Sequence, residues 1–148
     1  MSIYELTQNE ADYLFEIAKG SVANRIYLLP GPGKQLHIPV RSIDLKHEFM
    51  LDVRSGRIEL KKGTCQLRTA SEHVLVRIDL AGGIHRNPDG KELACPHIHL
   101  YREGYNDQWA YPLPAVFSKP DDLRQTLDDF LEYCNIINKP CIERGSML

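Results

Sequence analysis

At 148 residues, 43% hydrophobic and 26% charged, the chain is long enough to bury one core and too short for two, so residues 1–148 read as a single globular domain. A formal net charge of −2 excludes a globally basic nucleic-acid binder, and no apolar run reaches the roughly 18 residues of a membrane helix, so no membrane partner is expected. Met1-Ser2-Ile3-Tyr4-Glu5 lacks the basic-then-apolar layout of a signal peptide, which points to the cytoplasm. There Cys65, Cys95, Cys134 and Cys141 stay reduced, and without CxxC spacing they exclude a zinc ribbon.

Thr7 and Glu10 form a capping-box pattern ahead of Ala11, Leu14, Phe15 and Ala18, which predicts a helix over about 8–19 with Gly20 as its stop. Arg25–Leu29 reads as a short strand ended by Pro30-Gly31-Pro32-Gly33. From there the period is 2. Leu36, Ile38 and Val40 alternate with Gln35, His37 and Pro39, and the proline, lacking a donor, argues for an edge strand. Phe49, Leu51 and Val53 form the next apolar face, and Ile58 and Leu60 another after the turn at Ser55-Gly56. A weaker strand spans Thr64–Thr69, and then Val74, Val76, Ile78 and Leu80 alternate with Leu75, Arg77 and Asp79. Asn87-Pro88-Asp89-Gly90 reads as a β-turn within a loop over 82–96. Strands are expected over His97–Glu103 and Trp109–Leu113. Finally, Ser118, Pro120 and Asp121-Asp122 start a helix over about 120–137, with Leu123, Leu127, Phe130, Leu131 and Cys134 as its apolar stripe.

Helix, short-turn strands, helix is the order of an α+β fold: an antiparallel β-meander of about five to seven strands, with an N-terminal and a C-terminal helix packed on one face. The opposite, polar face is where function belongs. Charge supports this layering, since the helical segments 1–20 and 118–134 each carry −3 while 41–86 carry +3.

The chemistry-bearing segment is His85-Arg86-Asn87-Pro88-Asp89-Gly90 followed by Pro96-His97-Ile98-His99-Leu100-Tyr101-Arg102-Glu103-Gly104-Tyr105. A strand over 97–103 places His97, His99, Tyr101 and Glu103 on one face, with Ile98 and Leu100 turned to the core. Three functions compete for these residues. In the first, a metal-independent endoribonuclease, His97 and His99, roughly 6.5–7 Å apart at their backbones, flank one phosphate as general acid and base. Arg77 and Arg102 stabilise its developing charge, and Tyr101 donates a proton or stacks on a base. His85, Arg86, Glu103 and Tyr105 border the substrate, and Arg54, Arg57, Lys61 and Arg68 track the RNA backbone. In the second, His97, His99 and Glu103 bind Zn, Fe or Mn; their His-x-His-x3-Glu spacing is similar to the first cupin motif, although no second histidine-bearing motif follows. Under the ribonuclease reading no cofactor is needed. In the third, the residues are structural, and the chain is a non-catalytic binding module with a cognate, antitoxin-like protein partner in a prophage, defence or toxin–antitoxin setting.

The blocks His85–Gly90, Pro96–His99, Tyr101–Tyr105 and Trp109-Ala110-Tyr111-Pro112 resemble, over most of the chain, a domain-of-unknown-function family of small bacterial and prophage-borne proteins, which implies no particular activity. The Pro-His-x-His strand is similar to that of small toxin-like families. It is also similar to the motif of histidine-triad nucleotide hydrolases, with Tyr101 standing where their third alternate histidine would be.

Overall fold

In the computed structural model, residues 5–57 and 63–144 are described, and among them twelve strands and two helices follow one another. The first helix, α1 (Gln8–Glu16), begins where its capping box dictates. The Thr7 hydroxyl accepts from the Glu10 amide at 3.1 Å, and the Glu10 carboxylate accepts from the Thr7 amide at 2.9 Å. The helix stops short of residue 19 because Lys19–Ser21 becomes strand β1, hydrogen-bonded on both sides. Gly20 is therefore not a helix stop. It lets two strands approach, since a Cβ there would lie 2.8 Å from the Asn138 Cβ.

After β2 (Ile26–Leu28) come β3 (Gln35–Ser42), β4 (Glu48–Ser55), β5 (Gly63–Thr69) and β6 (Val74–Asp79), each antiparallel to the next from β3 onward. Then follow β7 (His85–Arg86), β8 (Glu92–Leu93), β9 (His97–Leu100), β10 (Ala110–Pro112), α2 (Leu123–Tyr133), β11 (Ile136–Asn138) and β12 (Cys141–Glu143). The main sheet has eight strands in the order β10-β9-β6-β5-β4-β3-β1-β11. It is mixed, because β1 and β11 run parallel, and so departs from a pure antiparallel meander. β2 leaves this sheet to pair in parallel with β12, and β7 and β8 form a separate hairpin. The strand expected around Ile58 and Leu60, together with Lys61, lies outside the described residues.

Three further expectations change. Pro39 sits in an inner strand, between β1 and β4. Its carbonyl accepts from the Val22 amide, so its donor-less nitrogen faces the point where β1 has ended at Ser21, a local edge within the sheet. Leu75 is buried instead of outward, because the pairing slips between Leu67 and Arg68 and inserts it as an extra residue opposite β5. α2 starts at an Asp122 cap and ends before Asn135, whose φ of 56° turns the chain into β11.

Alternation does the rest. Ile38, Leu51, Leu67 and Val76 form one cross-strand apolar row, and Val53, Cys65, Ile78 and Ile98 the next. α2 lies over β5 and β11 and adds fully buried Leu127, Phe130 and Leu131 to that core, while α1 adds Ala11, Leu14 and Phe15. Each fully buried aliphatic or aromatic side chain is worth about 1.5–3 kcal/mol. No helix of the described residues is long and apolar enough to cross a membrane.

Candidate functional site

Because side chains alternate, the residues between those apolar rows point to the other face of the sheet, and the register aligns them. One row reads His37, Asp52, Gln66, Arg77, His99 from β3 to β9. The next reads Gln35, Arg54, Thr64, Asp79, His97. Together they line an open cleft of about 680 Å3, walled on one side by residues 81–85 and Cys95.

At the β6–β9 end of the cleft three donor atoms converge. His97 Nε2 lies 3.3 Å and His99 Nε2 3.1 Å from the same oxygen, Asp79 Oδ2, and the donor atoms of the three side chains all lie within 4.8 Å of one another. Both imidazoles are buried, at 2% and 1% exposure. Their outer nitrogens face backbone carbonyls: His99 Nδ1 is 2.8 Å from the Asp107 oxygen, and His97 Nδ1 is 3.3 Å from the Ala94 oxygen. A carbonyl only accepts, so His99 Nδ1 carries a hydrogen, while His97 has an acceptor at each nitrogen, the Ala94 carbonyl at Nδ1 and the Asp79 carboxylate at Nε2, 3.3 Å away in each case. His99 Nε2 is a buried atom with no hydrogen-bond partner among the described residues, despite its closeness to the carboxylate.

Asp79 is anionic. Burial pushes its carboxyl up, but the close approach of His99 and the Arg77 guanidinium outweigh that and hold it at about 2. Two imidazole nitrogens turned on one anionic carboxylate call for a positive charge or a hydrogen between them. A proton on one ring or a metal ion would serve. A four-coordinate ion about 2.0–2.2 Å from each ligand atom keeps those atoms roughly 3.4 Å apart, close to the 3.3 and 3.1 Å between the two histidine nitrogens and Asp79 Oδ2. Two histidines and one carboxylate with open positions suit Zn, Fe or Mn. The Nδ1–carbonyl contacts are the outer-shell partners that orient such ligands.

The sequence-derived residues divide. Arg77, His97, His99 and His85 come together: the His85 ring centroid is 4.7 Å from that of His99 and 5.8 Å from that of His97. His85 Nε2 donates to the Gln108 carbonyl at 2.7 Å. Arg77 Nη1 donates to Asp107 at 2.6 Å and Arg77 Nε to Asp79 at 3.1 Å. Arg54 and Arg68 line the far side of the cleft. Others lie elsewhere, because β9 ends at Leu100 and the chain turns through Gly104 (φ 86°) and Asn106 (φ 52°), breaking the alternation. Tyr101 is buried, its ring edge-on to His73, and its hydroxyl donates to the Leu6 carbonyl at 2.7 Å instead of joining His97 and His99. Glu103 caps α1 by accepting from the Gln8 amide at 2.9 Å and so does not stand with His97 and His99; the carboxylate beside them is that of Asp79. Arg102 stacks on Trp109 (4.4 Å) and Tyr105 (5.9 Å) and does not line the cleft. Arg86 is paired to Glu92 at 3.0 Å in the exposed β7–β8 hairpin, and exposed Arg57 lies past β4 and off the cleft wall.

Sequence reasoning overlooked Asp79, Asp107, His37 and Asp52 as site residues. Asp79 did carry a signal, since it shares the outward face of its strand with Arg77. No curated protein and no solved structure matches the sequence. The model of the family of unknown function DUF6978 matches residues 6–136, a span that holds the whole histidine–aspartate cluster, and the chain belongs to that family.

Proposed function

We propose that Asp79, His97 and His99 hold a single divalent transition-metal ion, and that the cleft hydrolyses a phosphate ester. The observation that carries this reading is the buried His99 Nε2, oriented through its Nδ1 contact and turned without a hydrogen bond toward an anionic carboxylate. Three arginines against two aspartates line the cleft, and an added dication makes it favourable for an anionic substrate. An ion held by Asp79, His97 and His99 would supply Lewis acidity and lower the pKa of a water toward about 7, and Arg77, Arg54 and Arg68 line the cleft in which the phosphate would lie.

Elemental analysis of untagged protein tests the reading. Near-stoichiometric Zn, Fe or Mn, lost in His99→Ala together with hydrolysis of bis(4-nitrophenyl) phosphate, supports it. Metal-free protein whose stability ignores chelator overturns it, because a coordinating site couples binding to folding. A second reading, metal-independent RNA cleavage by the imidazoles, draws on the three histidine rings lying mutually 4.7–5.8 Å apart beside Arg77. Cleavage of RNA that persists in chelator and disappears in His97→Ala would favour it. Growth arrest on overexpression, relieved by the same change, would place it with toxin-like proteins.

A further inference from the structure

The end of the cleft remote from Asp79 is also organised, around Asp52. That carboxylate accepts from His37 Nδ1 at 2.6 Å, Gln66 Nε2 at 2.8 Å and Arg68 Nε at 2.7 Å. Burial pushes its carboxyl up, yet these hydrogen bonds more than offset this and hold it low, so it is a saturated anion. Arg68 is consumed by it, just as Arg77 is consumed by Asp79 and Asp107. Arg54 is different. It lines the same cleft, is exposed, and makes no ion pair with a described residue. His37, with its side chain 49% exposed, has its ring fixed through Nδ1 and makes no other hydrogen bond to a described residue.

His37 pairs with Asp52 across β3 and β4, and Arg54 stands two residues beyond Asp52 on the same face. His37 and Arg54 are thus diagonal neighbours, roughly 7–8 Å apart at their backbones and within reach of one group for side chains of this length. Arg54 is two strands from Asp79 in one row, which is roughly 9.5 Å at strand spacing.

Building on the hydrolase reading above, we propose that Arg54 and His37 form a second anion-binding subsite, and that the substrate is a short single-stranded nucleic acid. One phosphate sits at the Asp79–His97–His99 end and another, about three nucleotides along the strand, at Arg54. A stacked strand carries a charge about every 3.4 Å along its axis, so the two poles are spanned by about three nucleotides. A simple monoester reaches only one pole.

The test is equilibrium binding of a fluorescein-labelled single-stranded U4 RNA, read by anisotropy, to metal-loaded wild type, Arg54→Gln and His37→Gln. Inorganic phosphate binding and metal content are measured beside it. U4 is expected to bind wild type and to bind each variant about 10-fold more weakly, with the slope of log K against log salt shallower by about 0.7 for Arg54→Gln. Phosphate affinity and metal content stay at the wild-type level. Equal U4 affinity in wild type and Arg54→Gln, or no U4 binding by wild type, overturns the subsite. Either result with stoichiometric metal leaves the metal centre standing, so the two failures are distinct.

Discussion

Replacing Asp79 with Asn separates the two cations that can occupy the centre. In metal-free protein the carboxylate is stabilising, because its folded-state pKa is held at about 2 against an ordinary 3.8. At about 1.4 kcal/mol per unit that difference is roughly 2 kcal/mol, and partial exposure of the side chain reduces it to about 1–2 kcal/mol. The sign follows from a depressed acid: the stabilisation is complete above about pH 4 and is lost as pH falls toward 2. Scanning calorimetry of chelated protein at pH 7 is therefore expected to show Asp79→Asn melting lower by roughly 2–8 °C, at about 2–4 °C per kcal/mol for a chain of this size. Metal adds a second, larger effect. At a free Zn concentration about 1,000 times Kd, binding stabilises wild type by about 4 kcal/mol, or roughly 8–16 °C. Asp79→Asn removes one of the three proposed ligands, so most of that shift is expected to disappear. If Zn raises the melting temperature of wild type and Asp79→Asn equally, the carboxylate is not a ligand and the reasoning fails.

Lys19 is fully buried with its ammonium donating to the Phe15, Ile17 and Cys134 carbonyls, and burial pushes its pKa down to about 8. The unfolded chain then holds the extra proton between about pH 8 and 10.5, so this group makes stability rise with pH, while burial of Cys65, pushed up to about 12, lowers it above pH 9. Lys19→Met should abolish the rising contribution, about 2–3 kcal/mol, seen as the difference between wild-type and variant urea midpoints across that range. With a thiol reagent at pH 8, exposed Cys141 should react rapidly and half-buried Cys95, whose pKa is raised by burial and by Asp79, slowly; Cys65 and Cys134 should react only after denaturation. Leu127→Ala, at a fully buried α2 position, should lower stability by about 2–5 kcal/mol in denaturant titration.

What could be read in advance was local. Thr7 and Glu10 announce the start of α1 by themselves, and alternation alone puts Arg77, His97 and His99 on outward faces. Long-range pairing leaves no such mark. β1 and β11 are three residues each and pair in parallel across more than a hundred positions, and β6 meets β9 only after the β7–β8 hairpin has folded out of the sheet. Asp79 opposite His97 is a consequence of that register, which periodicity does not encode. Tyr101 and Glu103 were misplaced for the converse reason, since a period of 2 was carried past the last strand residue into a turn that left-handed Gly104 and Asn106 build.

The turn explains why so many chemically suggestive side chains lie just outside the centre. Asp107 holds the site from two directions: its carbonyl takes the His99 Nδ1 hydrogen at 2.8 Å, and its carboxylate takes Arg77 at 2.6 Å. Arg77 in turn touches Asp79, so one residue of the turn orients His99 and a neighbour of Asp79. The turn is itself pinned to α1. Gln8 and Glu103 exchange two hydrogen bonds, at 2.9 and 3.0 Å, and Tyr101 donates to Leu6. Arg102 closes it against Trp109. Tyr101, Arg102 and Glu103 thus hold in place the turn that carries Asp107, whose carbonyl meets His99. Rigidity at that point matters because His99 Nε2, which makes no hydrogen bond, would otherwise relax away from Asp79.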